Sequence, residues 1–349
     1  MRKYRFNHPG VLAALGAALL FGVGTPLAKL LLTEVSPWLL AGLLYLGSGV
    51  GLSLSRLVTS SSIVKLKTSE WLWFLGAIFA GGVVGPVLLM FGLTSMPASG
   101  ASLLLNAEGV FTALLAWFVF RENFDPRVAL GMITIVIGAI VISWPGEAQF
   151  STALPALAVL GACLAWGIDN NLTRRVSLAD ATWIASIKGL TAGGVNLALA
   201  FLLGAQLPSL ATIFGAMLVG CLAYGVSLVL FVVALRHLGT ARTGAYFSVA
   251  PFFGAVVAIP LLSEPVSGRL LIAALFMGLG VWLHLTEQHQ HEHEHEAVEH
   301  DHAHSHDSHH QHKHDFSVLM GKKHHHPHQH DELSHEHEHF PDAHHGHDH

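Results

Sequence analysis

Ten apolar runs dominate the chain. They lie near residues 10–32, 36–55, 71–94, 97–119, 127–144, 155–173, 181–203, 211–235, 240–262 and 269–286. Each is roughly 18–25 residues long, enough to cross a hydrocarbon core of about 30 Å as a helix. A backbone in lipid finds no water, so its N–H and C=O groups must be satisfied within a helix or around a closed barrel. The runs show none of the polar–apolar alternation of barrel strands, which leaves a helical bundle. Composition agrees: 52% of the 349 residues are hydrophobic and 12% are charged, about half the charged share of a soluble domain.

Charge tests the count independently. With the amino terminus in the cytoplasm, ten crossings leave Arg2, Lys3, Arg5, Arg56, Lys65, Lys67, Arg121, Arg127, Arg174, Arg175, Arg236 and Arg242 on the cytoplasmic side. Among the loops, only Arg269 falls on the other. Such a bias is the positive-inside signal, and it predicts an inner-membrane protein with both termini cytoplasmic. The opening MRKYRFNHPG followed by an apolar run resembles a signal peptide. That run is too long for a signal sequence and has no convincing cleavage site, so it reads as the first permanent helix. Cys163 and Cys221 both lie inside apolar runs and imply no disulfide framework.

The two halves repeat. LLMFGLTSMPASGASLLLNAEGVFTALLAWFVFRE at 88–122 aligns with LFVVALRHLGTARTGAYFSVAPFFGAVVAIPLLSE at 230–264. At that shift Leu93 falls on Leu235, Glu122 on Glu264, Arg127 on Arg269 and Gly138 on Gly280. An odd number of spans per half turns the second half upside down relative to the first, the architecture of many secondary transporters. The expected fold is an all-α membrane protein of ten transmembrane helices in two inverted five-helix repeats. The repeats span 1–145 and 150–287, and a disordered tail follows at 288–349.

The motifs in this frame resemble the drug/metabolite transporter superfamily, EamA type. They are the Phe21, Gly22 and Pro26 of FG-x-x-x-P, the Glu264-Pro265 after the ninth helix and the matching Arg121-Glu122 after the fourth. The resemblance covers roughly 10–286. It implies a permease, often an exporter of metabolites or amino acids, with no ATPase domain. The second repeat keeps a proline, Pro251, usual in that family. The first has Asn106-Ala107-Glu108-Gly109 around the equivalent point.

Ionisable side chains inside a membrane are costly and mark functional sites. Glu108 lies near the middle of its run, too deep for a short side chain to reach water, and Thr112 one turn on shares its face. Lys188 is about eight residues into the seventh run, and a Glu108–Lys188 pair would neutralise both. That pair reads either as a static lock on helix register or as part of the pathway, with Glu108 taking a proton or a cationic group. Asp169 and Asn170, in DNNLTRR, either bind substrate or mark a helix end near headgroups. Lys29 either joins the path or snorkels to the nearer surface. Asn106 completes the candidate pathway set.

Of 27 histidines, 24 fall in the last 61 residues. The tract, with His291, His293, His295, His300, His302, His304 and His306, is suited to non-specific chelation of Zn, Ni or Co. It twice spells H-E-x-x-H, but a catalytic zinc site needs that motif on a rigid helix in a cleft. The tail reads as a metal buffer, a pH-sensitive regulator or an unselected extension. No required cofactor is expected, and no nucleophile–base constellation or phosphate loop suggests an enzyme. The reading reached is a secondary transporter, an exporter of a small polar or amphipathic metabolite. Its rival is divalent-metal efflux with the tail as collector, and a non-transporting metal sensor or store is a third option. Expected partners are a small-molecule substrate and the bilayer, with divalent metal ions and a homodimer left open and no nucleic acid.

Overall fold

The computed structural model describes residues 9–58, 66–119, 126–143, 150–176, 179–238 and 240–285, with four short segments of the tail. The helices are α1 (Pro9–Leu31), α2 (Pro37–Val58), α3 (Thr68–Ser95), α4 (Ala98–Phe118), α5 (Pro126–Ser143), α6 (Phe150–Arg174), α7 (Ala181–Leu202) and α8 (Leu210–Ala234). They end with α9, in the pieces Thr240–Phe247 and Ala250–Leu262, and α10 (Gly268–Leu285). Each apolar run of the sequence coincides with one of them. Among the described residues seven helices are long and apolar enough to cross a membrane, and shorter apolar helices occupy 129–142, 250–262 and 268–283. The chain is a multi-pass helical membrane protein.

Local chemistry sets the helix starts. Pro9, Pro37 and Pro126 open α1, α2 and α5, where a missing N–H costs nothing. Asp180 caps α7 by accepting from the Trp183 N–H at 2.7 Å, and Ser209 caps α8 by accepting from Thr212 at 3.2 Å. Large apolar side chains such as Leu72, Phe214 and Leu275 face outward at more than 70% exposure, as a lipid-facing surface allows. In the interior, buried alanines and glycines are interleaved with large side chains such as Phe74, Leu44, Leu89 and Met277, and the small residues let backbones approach closely where lipid gives no hydrophobic drive between helices.

Packing repeats with the sequence. α1 of the first half packs on α8 and α9 of the second, and reciprocally α6 packs on α3 and α4. Two further large contacts, α2 with α7 and α5 with α10, pair equivalent helices. In the α5–α10 seam, a Cβ on Gly138 would meet Met277 and one on Gly280 would lie 2.5 Å from the Gly131 carbonyl oxygen. These are the two glycines that the internal shift equates.

Irregularities repeat as well. α3 contains a π segment at Ile78–Val84, and α8 contains one at Cys221–Val226. α4 is broken at Leu105–Asn106 and α9 at Ser248–Val249. Both features fall at the same offset as the sequence repeat, give or take one residue. Breaks inside membrane helices persist where the freed backbone is buried in protein or borders a cavity.

Met1–Glu287 forms one compact unit and Gln288–His349 another. In the latter, strands His291–His295 and Leu333–His337 pair antiparallel, as do Glu299–His304 and His324–Gln329. At these four segments the chain is extended and paired where composition predicts disorder. The rest of the tail lies outside the described residues.

Candidate functional site

A cavity of about 90 Å³ opens between the repeats. The first half supplies Phe21 from α1, Tyr45 and Ser48 from α2, and Glu108 from α4. The second supplies Trp166, Asp169 and Asn170 from α6, Lys188 from α7, Tyr224 and Phe231 from α8, and Phe247 from α9. Four of the six pathway candidates from the sequence therefore meet here: Glu108, Asp169, Asn170 and Lys188.

Their pairing differs from the expected one. The Lys188 ammonium contacts the Asp169 carboxylate, with both side chains 7% exposed, so the expected Glu108–Lys188 pair does not form. The cause is depth. Asp169 lies five residues before the end of α6 and Lys188 seven after the start of α7. With about 1.5 Å of rise per residue, antiparallel neighbours thus bring them to similar heights. Thr173 Oγ1 donates to the other Asp169 oxygen at 2.9 Å, which further fills that carboxylate's acceptor sites.

Glu108 is served differently. It sits in the first turn of the helix that resumes after the α4 break, where exposed N–H groups favour a negative charge. Asn170 Nδ2 donates to Glu108 Oε1 at 2.9 Å and to Thr112 Oγ1 at 3.2 Å, so one amide bridges the face that Glu108 and Thr112 share. Among the described residues no cation contacts this carboxylate.

The π segment of α3 holds the cavity wall. Its wide turn leaves the Gly81 carbonyl free to accept from Tyr45 Oη at 2.7 Å and Trp166 Nε1 at 2.9 Å. The next carbonyl, of Gly82, accepts from Asn196 Nδ2 at 3.0 Å. A Cβ on Gly81 would collide with the Asp169 carboxylate, so a side chain there would displace the ion pair.

Six aromatic rings line the remaining surface, and sequence reasoning passed them over. Phe21 is the hub, with ring centroids 6.0 Å from Trp166, 5.9 Å from Tyr224 and 5.5 Å from Phe247. Tyr45 stands 5.4 Å from Tyr224, and Phe231 4.9 Å from Phe247. Hydropathy counts an aromatic as apolar wherever it points. The one usable signal was Phe21 in its motif.

Asn106 and Lys29 lie elsewhere. Asn106, at the α4 break, donates to the Leu103 carbonyl at 3.0 Å, and its Oδ1 has no partner among the described residues. Lys29 is eight residues beyond Phe21, about 12 Å along the helix. It reaches a separate depression of about 450 Å³ shared with Glu264. Its ammonium donates to the carbonyls of Leu93 and Met96 at the end of α3. The Glu264 carboxylate accepts from the N–H groups of Ala98 and Ser99 at 2.6 and 2.9 Å. These two side chains thus cap opposite sides of the α3–α4 turn.

Among the described residues no three His, Cys, Asp or Glu side chains converge to hold a metal ion. His291, His293, His295, His300, His302 and His304 fall on the tail strands, and His306 lies outside the described residues.

The chain is similar to known membrane proteins. A model of the EamA-like transporter family matches residues 8–144 and again 153–286. A protein of Methanothermobacter thermautotrophicus named as an uncharacterized transporter is 29% identical over 295 residues, 78% of this chain and 85% of that one. A probable 4-amino-4-deoxy-L-arabinose-phosphoundecaprenol flippase subunit of Pseudomonas fluorescens is 36% identical over 84 residues, 24% of this chain and 70% of that one. A solved crystal structure superposes with a TM-score of 0.63 at 18% identity, covering 79% of this chain and 98% of that one, a likeness of fold. With two matches that together span most of its length, the chain belongs to the EamA-like transporter family.

Proposed function

We propose that the chain is an inner-membrane secondary transporter that exports a small amphipathic metabolite by alternating access. Its ten helices cross the bilayer as two repeats of opposite orientation, with both termini cytoplasmic. One observation supports the reading: the cavity is framed by both repeats and bordered by paired helix irregularities, and it holds three ionisable groups, of which Asp169 and Lys188 are buried and Glu108 half-buried. Transporters of inverted-repeat design place their substrate between the repeats at discontinuous helices. Rocking one repeat against the other would expose the cavity to each side in turn, and Glu108 would carry a proton or a cationic group through that cycle. The chain is thus a permease and not an enzyme. The rival, efflux of divalent metal collected by the tail, gains no support from the cavity, whose walls are mostly aromatic and apolar.

Metabolite and metal profiling of cells with and without the gene tests the reading. Accumulation of an organic solute inside the deletion strain is expected. Accumulation of zinc, nickel or cobalt alone, restored to normal only by a chain that keeps residues 289–349, would replace it with the metal reading.

A further inference from the structure

The cavity's charge does not balance. It contains two carboxylates and one ammonium, and Asp169 and Lys188 are in direct contact. Glu108 is left with an uncharged amide as its hydrogen-bond partner. A negative charge enclosed by apolar walls is stable only when a bound positive charge or a proton neutralises it.

The walls select which cation suits. Six aromatic rings face the cavity, and Tyr45 already donates its hydroxyl to Gly81. Beside the two carboxylates this surface offers a metal ion only single oxygens from Ser48, Asn170, Tyr224 and Ser227, with Asp169 already held by Lys188, whereas Ca²⁺ or Mg²⁺ takes six or more ligands. The faces of aromatic rings instead attract organic ammonium groups and accommodate the apolar body attached to them. A solute with its own carboxylate would need a second cation, and Lys188 is already held by Asp169.

We propose, building on the transporter reading, that the cargo is a small organic amine whose ammonium binds Glu108 and whose apolar body packs among Phe21, Tyr224 and Phe247. The ammonium and a proton exclude each other on that carboxylate, so each weakens binding of the other by the same factor. The other titratable groups facing Glu108 are Asp169 and Cys163 on α6, Lys188 on α7 and Tyr45 on α2.

The test is equilibrium binding by the purified full-length chain, with four probes that share one ring and differ in charge. They are phenethylamine, 3-phenylpropionate, 2-phenylethanol and phenylalanine. Phenethylamine is expected to bind saturably and at least about tenfold more tightly than the other three, as expected for a charged contact made in a desolvated site. Its affinity should fall as pH is lowered. Glu108→Gln should remove at least about tenfold of amine affinity while leaving 2-phenylethanol unchanged. Glu108→Asp should retain part of the preference. Phe21→Leu should weaken the amine by about threefold or more through loss of a ring face, with its elution profile and melting temperature reporting that it is folded. Equal binding of acid and amine, absence of amine binding, or full amine affinity in folded Glu108→Gln would each overturn the proposal. Flux of another solute by reconstituted vesicles would then leave the transporter reading standing. Amine binding with no flux of any probe would instead uphold the site and overturn transport.

Discussion

After the break in α4 comes Glu108; at the equivalent point after the break in α9 comes Pro251. Both residues suit the first turn of a helix. Proline suits it because its ring presets φ and no N–H is lost there, and glutamate because its charge meets the positive end of the helix dipole. The backbone solution is therefore shared, while the chemistry is not. Only the first repeat brings a carboxylate to the cavity from its broken helix, and the second answers with Asp169 and Lys188 from α6 and α7. The repeated scaffold frames the cavity, and on the proposed reading its asymmetric side chains decide what is held there.

The strongest way to break this division of labour is to unpair the second repeat's charges. Asp169→Asn strands Lys188 in a buried site and should cost about 3–5 kcal/mol, read as a loss of folded protein in the membrane. Adding Lys188→Met should recover most of it. No recovery would mean that the contact is not a structural pair.

Glu108→Gln acts on function. It should abolish transport at normal abundance, because the amide keeps the shape and can still bond Asn170. Pro251→Ala, its counterpart, should leave transport within about twofold and shift stability by less than about 1 kcal/mol, since no hydrogen bond is lost at a helix start. Full transport by Glu108→Gln would remove the distinction between the two breaks.

The α5–α10 seam gives a finer comparison. A Cβ on Gly280 would press on the Gly131 backbone oxygen at 2.5 Å, whereas one on Gly138 first meets the flexible Met277 side chain at 2.7 Å. Gly280→Ala should therefore cost about 1–3 kcal/mol, and Gly138→Ala less, in thermal unfolding of the purified chain. The reverse order would contradict the packing described. Smallest of all is the effect of truncation after Gln288. Basal transport should persist, because the removed tract is mostly His, Asp and Glu and has few apolar side chains to offer the bundle.

Much of this arrangement was legible in the sequence. The apolar runs coincide with helices of the described residues, and the internal shift equated Gly138 with Gly280, which the structure places in one seam. The helix breaks and π segments were hidden, because hydropathy does not change where a buried backbone loosens. The partner of Lys188 was misread for a related reason. Which helices pack side by side is not written in hydropathy, and only once α6 and α7 are neighbours do the similar depths of Asp169 and Lys188 make them partners. The aromatic lining was invisible because Tyr45, Trp166 and Tyr224 look like any other members of an apolar run until the helices are packed.

The proposed opposite orientation of the repeats can be measured directly. Single cysteines at Glu34, Lys67, Ala179 and Pro208, introduced into a chain lacking Cys163 and Cys221, can be labelled in intact cells with a membrane-impermeant reagent. Glu34 follows α1 and Ala179 follows α6; Lys67 precedes α3 and Pro208 precedes α8. Inverted repeats place each equivalent pair on opposite faces, with Glu34 and Pro208 labelled from outside, and Lys67 and Ala179 protected until the membrane is opened. Glu34 and Ala179 labelled from the same side would contradict the inverted pair and, with it, alternating access through the cavity between them.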